Sequence, residues 1–179
     1  MRKKTLWITE TAVMLALLVA LQWLTKPLGQ LPTGSCVNGV LAVTVLMTGM
    51  SSGITVALIS PVVAYLLGIA PNLATVPAIM VGNALFVAAW KLLDSEALWR
   101  KAVAWLTAAL VKFGALYALV VWVICGVAAD ALLAQGILKA PMLKALPVTF
   151  GITQFITALI GGAVAALIVP LLKKALHRT

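Results

Sequence analysis

The chain is short of acidic residues, histidine and cysteine. Of its 179 residues, only four are Asp or Glu, one is His and two are Cys. The histidine, His177, lies in the C-terminal tail, and neither Cys36 nor Cys125 has a CxxC partner. No zinc or haem site can be built from this set, so we predict no metal and no cofactor. We interpret both cysteines as small apolar residues, while a disulfide between them stays open.

The motifs of enzymes and of ion-coupled carriers are also missing. The chain has no nucleotide-binding loop and no pair of carboxylates inside an apolar run. We therefore predict no catalytic residues and no ATPase activity of its own. Few groups could carry a coupling proton or sodium, and no internal repeat indicates an inverted-repeat transporter.

Apolar and basic residues dominate what is present. The chain is 64% hydrophobic and 9% charged, with a mean hydropathy of +1.16. A soluble domain is about half apolar and about a quarter charged. These values indicate an integral membrane protein. A net charge of +9 could suggest a nucleic-acid partner, but the basic residues form short clusters between apolar runs, which is typical of membrane topology.

The apolar runs predict an all-α integral membrane protein with six transmembrane helices in a single domain of residues 1–179. The second and third runs have only 14 residues each, fewer than the ~20 of a full span, so they recruit flanking residues or form a re-entrant hairpin. Two prolines and two glycines after the first run predict a ten-residue non-helical connection. The first run has no cleavage site and is interpreted as a retained span. The predicted spans are residues 6–24, 37–50, 54–67, 74–93, 102–127 and 146–172.

The basic residues are unequally distributed between the two sides of the predicted membrane. Six spans put both termini on one side of the membrane, together with nine Lys and Arg residues. The other side holds three, namely Lys26, Lys139 and Lys144. The positive-inside rule therefore predicts a multi-pass protein of the cell membrane with both termini in the cytoplasm.

Lys112 is the one basic residue deep inside a predicted span. It lies 11 residues beyond Lys101, which corresponds to about 16 Å along a helix. A charge at that depth costs several kcal/mol unless it is paired or solvated. This position favours a wet cavity in which Lys112 binds an anionic or carbonyl-bearing ligand. The alternative is a snorkelling lysine, or a neutral one bonded to backbone carbonyls.

Other polar side chains lie in the outer half or at mid-depth of the predicted spans. Each amide taken alone is more often an interhelical hydrogen bond, but together with Lys112 they indicate a pocket that opens outward. Tyr117 lines this pocket or belongs to the outer aromatic belt. The predicted substrate-binding residues are Lys112, Asn83, Gln154, Asn38, Gln22 and Tyr117.

Three alanines form a stripe along the first span. Ala12, Ala16 and Ala20 are four residues apart, so on a helix they stack on one face. Small residues in this pattern let another helix approach closely inside a membrane. The stripe packs against a helix of the same chain, or it is a docking face for a separate membrane partner.

These features together resemble the substrate-binding S component of an energy-coupling factor (ECF) type ABC transporter. They are six spans, cytoplasmic termini, a basic start, the alanine stripe, and the Pro/Gly-rich loop after span one, and the resemblance covers essentially the whole chain. It implies high-affinity binding of a small water-soluble vitamin, a vitamin precursor or a related micronutrient outside a prokaryotic cell. It also implies a pocket formed by spans four to six and the loop after span one.

The same resemblance implies the partners. They are a transmembrane coupling (T) subunit, which docks on the alanine stripe, and two cytoplasmic ATPase subunits that drive uptake. Two other hypotheses stay open: a self-sufficient oligomeric channel or secondary carrier with Lys112 lining the pathway, and an assembly subunit without a ligand. The polar residues stop at mid-depth, which argues against the channel.

Overall fold

A computed structural model describes residues 2–70, 72–95 and 97–176, and every regular element in these ranges is helical. Two short 3₁₀ turns, Lys26–Leu28 and Leu73–Thr75, lie between helices. The fifth helix continues directly into a π-helical segment, Tyr117–Val127. Within the described ranges the α-helices are α1 (Arg2–Thr25), α2 (Gln30–Thr48), α3 (Met50–Leu66), α4 (Val76–Leu93), α5 (Leu98–Leu116), α6 (Ala129–Ala134), α7 (Ala140–Phe150) and α8 (Ile152–Ala175).

The apolar helices fit a multi-pass membrane protein. Five helical segments in the described ranges are long and apolar enough to cross a membrane. The helix α3 is apolar but has only 17 residues, or about 25 Å of rise, against about 30 Å of hydrocarbon core. The five segments are Lys4–Leu28, Gln30–Thr48, Leu73–Leu93, Trp99–Val127 and Ala140–Ala175.

The connection after the first helix is shorter than predicted. The helix α1 runs to Thr25 and α2 begins at Gln30, so only residues 26–29 separate them and the ten-residue non-helical connection was a wrong prediction. Pro32 lies in the first turn of α2, where the missing N–H would have no acceptor within the helix in any case. The proline therefore belongs to a helix start and does not interrupt the helix.

A single glycine reverses the chain between α2 and α3. Thr48 ends α2, Met50 begins α3, and Gly49 between them has a φ of 94°. This left-handed conformation is favourable for glycine because glycine has no Cβ. The turn places α2 and α3 side by side, and α2 also contacts α1, α4 and α8. The helix α2 is therefore the central element of the bundle.

The helices α2 and α8 approach each other closely at two glycines, Gly39 and Gly161. A Cβ added at Gly161 would lie 2.5 Å from the carbonyl oxygen of Ser35 and 2.6 Å from the backbone nitrogen of Gly39. Inside a membrane, small residues at a helix interface allow this kind of backbone contact. The contact matters for the site below because it sets α8 directly beside Asn38.

We predict that Gly161→Ala destabilises the bundle. The new methyl group would meet backbone atoms of α2, which can move only if the two helices separate, so the free energy of unfolding should fall by about 1–3 kcal/mol. Thermal unfolding of the purified protein in detergent measures the change. Gly114→Ala on α5 is the matched control, because no atom lies within 4 Å of its added Cβ. A similar loss of stability in both variants would contradict the prediction.

Candidate functional site

The side chain of Lys112 lies at the junction of three helices. It extends from α5 and is only 2% exposed. Its Nζ donates to Oδ1 of Asn38 on α2 at 2.5 Å and to Oδ1 of Asn83 on α4 at 2.6 Å. The ring of Phe86 lies 5.6 Å from the same nitrogen, within the range of a cation–π contact. Lys112 is thus bonded to side-chain amide oxygens, not to the backbone carbonyls considered above.

A fourth helix orients Asn38. Its Nδ2 donates to Oγ1 of Thr157 on α8 at 3.2 Å, and that hydroxyl donates to the carbonyl oxygen of Gln154 at 3.1 Å. With its amide nitrogen bonded to α8, Asn38 presents its oxygen to Lys112. The result is a continuous hydrogen-bonded chain through α5, α2 and α8, in an interior where an unpaired polar group would be costly.

A protonated Lys112 has one donor to spare. A lysine ammonium has three N–H donors, and the two asparagines accept two of them. No third acceptor for Nζ lies in the part of the chain that the structure describes. Lys112 is also one of the residues that line a cavity.

The cavity has a volume of about 90 Å³ and lies at one end of the bundle. We call this the pocket end: the end where α1 and α3 finish and where α2, α4 and α8 begin. Its wall is mixed, with amide, hydroxyl and ammonium groups beside aliphatic and aromatic side chains. The lining residues are Gln22, Gln30, Thr33, Gly34, Val37, Ser60, Pro61, Ala64, Ile69, Ala70, Ile79, Asn83, Lys112, Leu116, Thr149, Phe150 and Gln154.

Two hydrogen bonds hold the connection between α3 and α4 at the pocket end. Nζ of Lys26 donates to the carbonyl oxygen of Gly68 at 2.7 Å. Nδ2 of Asn72 donates to the carbonyl oxygen of Ile137 at 2.6 Å, which ties the same connection to the segment before α7. Because Ile69 of this connection lines the cavity, these two bonds position part of its wall. The sequence did not single out Asn72 for this role.

Two residues that line the cavity each have a buried polar atom without a partner. These atoms are Oε1 of Gln22 and Oγ of Ser60, which are unbonded within the described structure. Leaving such an atom unsatisfied costs about 1–3 kcal/mol. Sequence reasoning missed Ser60, for which the one available signal was a hydroxyl directly before Pro61 within an apolar run.

The structure brings most of the predicted site residues together. Asn38 does not line the cavity, but it lies directly behind it and is bonded to Lys112. Four others come from four different helices and share the cavity wall: Gln22, Asn83, Lys112 and Gln154.

Tyr117 lies apart from this group. It is 49% exposed at the start of the π-helical segment, and its ring packs against Phe113 with centroids 5.9 Å apart. Its side chain lies on the exposed surface of the bundle, and its place in an outer aromatic belt stays a prediction. Tyr117 therefore makes no contribution to the cavity wall.

The alanine stripe lies on the outside of the bundle. Ala12, Ala16 and Ala20 are all exposed, while Leu18 and Gln22 of the same helix are buried. The interpretation that the stripe packs against a helix of the same chain is therefore wrong for the described residues. An apolar groove of about 650 Å³ runs between α1, α2 and α8, and on α1 it is lined by residues outside the stripe, such as Val13 and Leu17.

Both cysteines are free thiols. Cys36 lies on α2 and lines the apolar groove, whereas Cys125 belongs to the π-helical segment. The disulfide that the sequence left open is not formed in this structure. Cys36 packs among apolar side chains, as expected for a small hydrophobic residue.

Comparison with known proteins yields no relative: no family model matches the chain, and neither does any curated protein or solved structure. The function has to be inferred from the geometry of the site itself.

We predict energetic coupling between Lys112 and Asn83. Lys112→Met and Asn83→Leu should each lower the free energy of unfolding by about 1–3 kcal/mol, because each leaves a buried partner unsatisfied. The double variant should lose less than the sum of the two, with an interaction energy of about 0.5–3 kcal/mol. Denaturation in detergent supplies all four values of the cycle.

Lys144→Met is the matched control for this cycle. Lys144 is exposed on α7, so its replacement should change the free energy of unfolding by no more than about 0.5 kcal/mol. Strictly additive losses for Lys112 and Asn83 would show that the hydrogen bond between them contributes nothing to stability.

Proposed function

We propose that this protein is the membrane-embedded substrate-binding S component of an ECF-type ABC transporter. In this role it captures a small water-soluble vitamin, a vitamin precursor or a related micronutrient outside a prokaryotic cell for ATP-driven uptake. The observation that supports this most is the cavity at the pocket end, which is lined by a buried lysine and by two residues that each have an unbonded buried polar atom. A purely structural helix bundle has no need for such a cavity.

The proposed topology has six spans, with the short α3 counted as the third. Both termini are then cytoplasmic, since nine basic residues lie on their side and three on the other. The pocket end consequently faces outside, where the substrate is met. The short α3 crosses with local thinning of the bilayer or with its ends covered by neighbouring helices.

The buried amide and lysine side chains do not continue across the bundle, and this favours a binding protein over a channel or carrier. The buried hydroxyls in the opposite half are bonded within the chain, as Thr11 is to Ser52. Beyond Asn38, α2 presents the fully buried Leu41 and Val45. Beyond Asn83, α4 presents the fully buried Val87 and then Trp90, which is 4% exposed. An apolar layer thus lies beneath the cavity. A pathway for a hydrophilic solute would need polar groups or water at that depth.

The exposed alanine stripe is the proposed docking face for the T subunit. It is smooth and exposed on the outside of the bundle. Close helix packing on small residues is the main source of association inside a bilayer. Substrate capture at the pocket end and partner docking along α1 are then separate tasks on one small bundle. The two ATPase subunits act through the T subunit.

Reconstitution tests the proposed function. The purified chain should retain a small molecule, detected by native mass spectrometry, and should show no solute flux in liposomes by itself. The same molecule should enter liposomes only when the T subunit, both ATPases and ATP are present. Flux through the chain alone, without ATP, would favour the self-sufficient channel or carrier instead.

We predict that Ala16→Trp abolishes assembly with the T subunit and leaves substrate binding unchanged. The indole fills the smooth stripe and prevents close approach of a partner helix, while the cavity at the pocket end is not touched. Co-purification of a tagged T subunit measures assembly, and native mass spectrometry of the retained molecule measures binding.

Ala118→Trp provides the matched control, because Ala118 is also exposed but lies in the π-helical segment, away from the stripe. Its assembly should equal that of the wild type. If the Ala16→Trp protein still assembles, the stripe is not the docking face.

A further inference from the structure

When it is protonated, Lys112 gives the cavity an unbalanced positive charge. Lys112 is the one cationic side chain in its wall, and none of the described residues that line it is an Asp or a Glu. The oxygens of Asn38 and Asn83 solvate the ammonium but do not neutralise it. A buried unpaired charge is costly, and an anionic group beside Nζ offsets that cost. The charge of the site therefore selects for an anionic ligand group.

Gln22, which lines the cavity, has an unpaired and buried acceptor. Oε1 of Gln22 can only accept a hydrogen bond, and it has no donor within the described structure. A ligand that satisfies it must carry an N–H or O–H group. That donor must be uncharged, because a second cation beside Lys112 would face no acidic side chain in the wall. The free hydroxyl of Ser60 can donate or accept and is compatible with either part of the ligand.

The volume limits the enclosed part of the ligand. The cavity measures about 90 Å³, whereas an apolar cavity that binds benzene measures about 150 Å³. A carboxylate and only a few further atoms fit in that space. The anionic group and the donor must therefore be separated by no more than a few bonds.

Accepting the proposed function, we infer that the substrate is a small monocarboxylate whose carboxylate binds Nζ of Lys112 and whose uncharged hydroxyl or amide N–H donates to Oε1 of Gln22. This substrate class follows from which side chains of the wall donate and which accept hydrogen bonds. Lys112 supplies a charged donor, Gln22 supplies a neutral acceptor, and both line the same cavity from different helices. A phosphate would also match the ammonium, but its dianionic form overcompensates a single cation.

Three matched probes test the inference: glycolate has a carboxylate and a hydroxyl, acetate lacks the hydroxyl, and glycolamide keeps the hydroxyl but has no charge. Binding to the purified full chain is measured by calorimetric titration at millimolar concentrations. Glycolate should bind at least about tenfold more tightly than glycolamide, because a hydrogen bond to a charged group is the stronger one. It should bind about fivefold more tightly than acetate, which leaves Gln22 unsatisfied.

Variants assign the two contacts. Gln22→Leu should lower the affinity for glycolate to that for acetate and leave acetate binding unchanged. Lys112→Met should lower the affinities for glycolate and acetate to that for glycolamide. Gln135→Leu is the control, because Gln135 is exposed and outside the cavity, and it should bind all three probes as the wild type does. The Gln22 variant keeps the inference falsifiable if Lys112→Met fails to fold.

Failure of the inferred carboxylate substrate and failure of the proposed function give different results. Equal binding of glycolamide and glycolate, or no binding of any probe, overturns the anionic class. A preference for glycolate over acetate that survives in Gln22→Leu overturns the assignment of the donor. A retained molecule that lacks a carboxylate overturns the inference but leaves the proposed function standing. The absence of both a retained molecule and ATP-dependent uptake with the partners overturns the proposed function.

Discussion

The burial of one ammonium group constrains much of this structure. Lys112 sits among apolar helices, where a lone charge is unfavourable by several kcal/mol. Two asparagine oxygens solvate it, and they come from helices that are far apart in sequence. The helices α2, α4 and α5 must therefore be aligned so that Asn38, Asn83 and Lys112 lie at the same height in the bundle. Each helix must also be rotated about its axis so that its polar side chain points toward the other two. The remaining donor needs a polar space, and the cavity at the pocket end supplies it.

Packing of small residues and the polar site depend on each other. Gly39 and Gly161 bring the backbones of α2 and α8 into contact, and this brings Thr157 within reach of Asn38. Thr157 then holds the amide of Asn38 with its oxygen toward Lys112. A side chain at Gly161 would separate the helices and also turn Asn38 away from the ammonium. In a bilayer, where water does not drive helices together, such complementary contacts determine the arrangement.

The two ends of the bundle have different chemistry. The pocket end holds the amides and Lys112, whereas the opposite half is mainly filled by apolar side chains such as Val45, Val87 and Trp90, with a few hydroxyls bonded within the chain. This polarity fits a protein that takes a solute from one side and relies on other subunits to move it. The exposed stripe of α1 does not overlap the cavity.

The membrane class, the unusual depth of Lys112 and four of the residues that share the cavity wall were predictable from the amino-acid sequence. Hydropathy and a charge inside an apolar run are local properties, so they can be recognised without a fold. The arrangement of the helices was needed to place Asn38 behind the cavity and Tyr117 outside it, and to leave the hydroxyl of Ser60 unbonded. It also decided that the alanine stripe is uncovered, since a four-residue period is the same whether a helix face turns inward or outward. Helix rotation is set by contacts between segments distant in sequence, and no single segment contains that information.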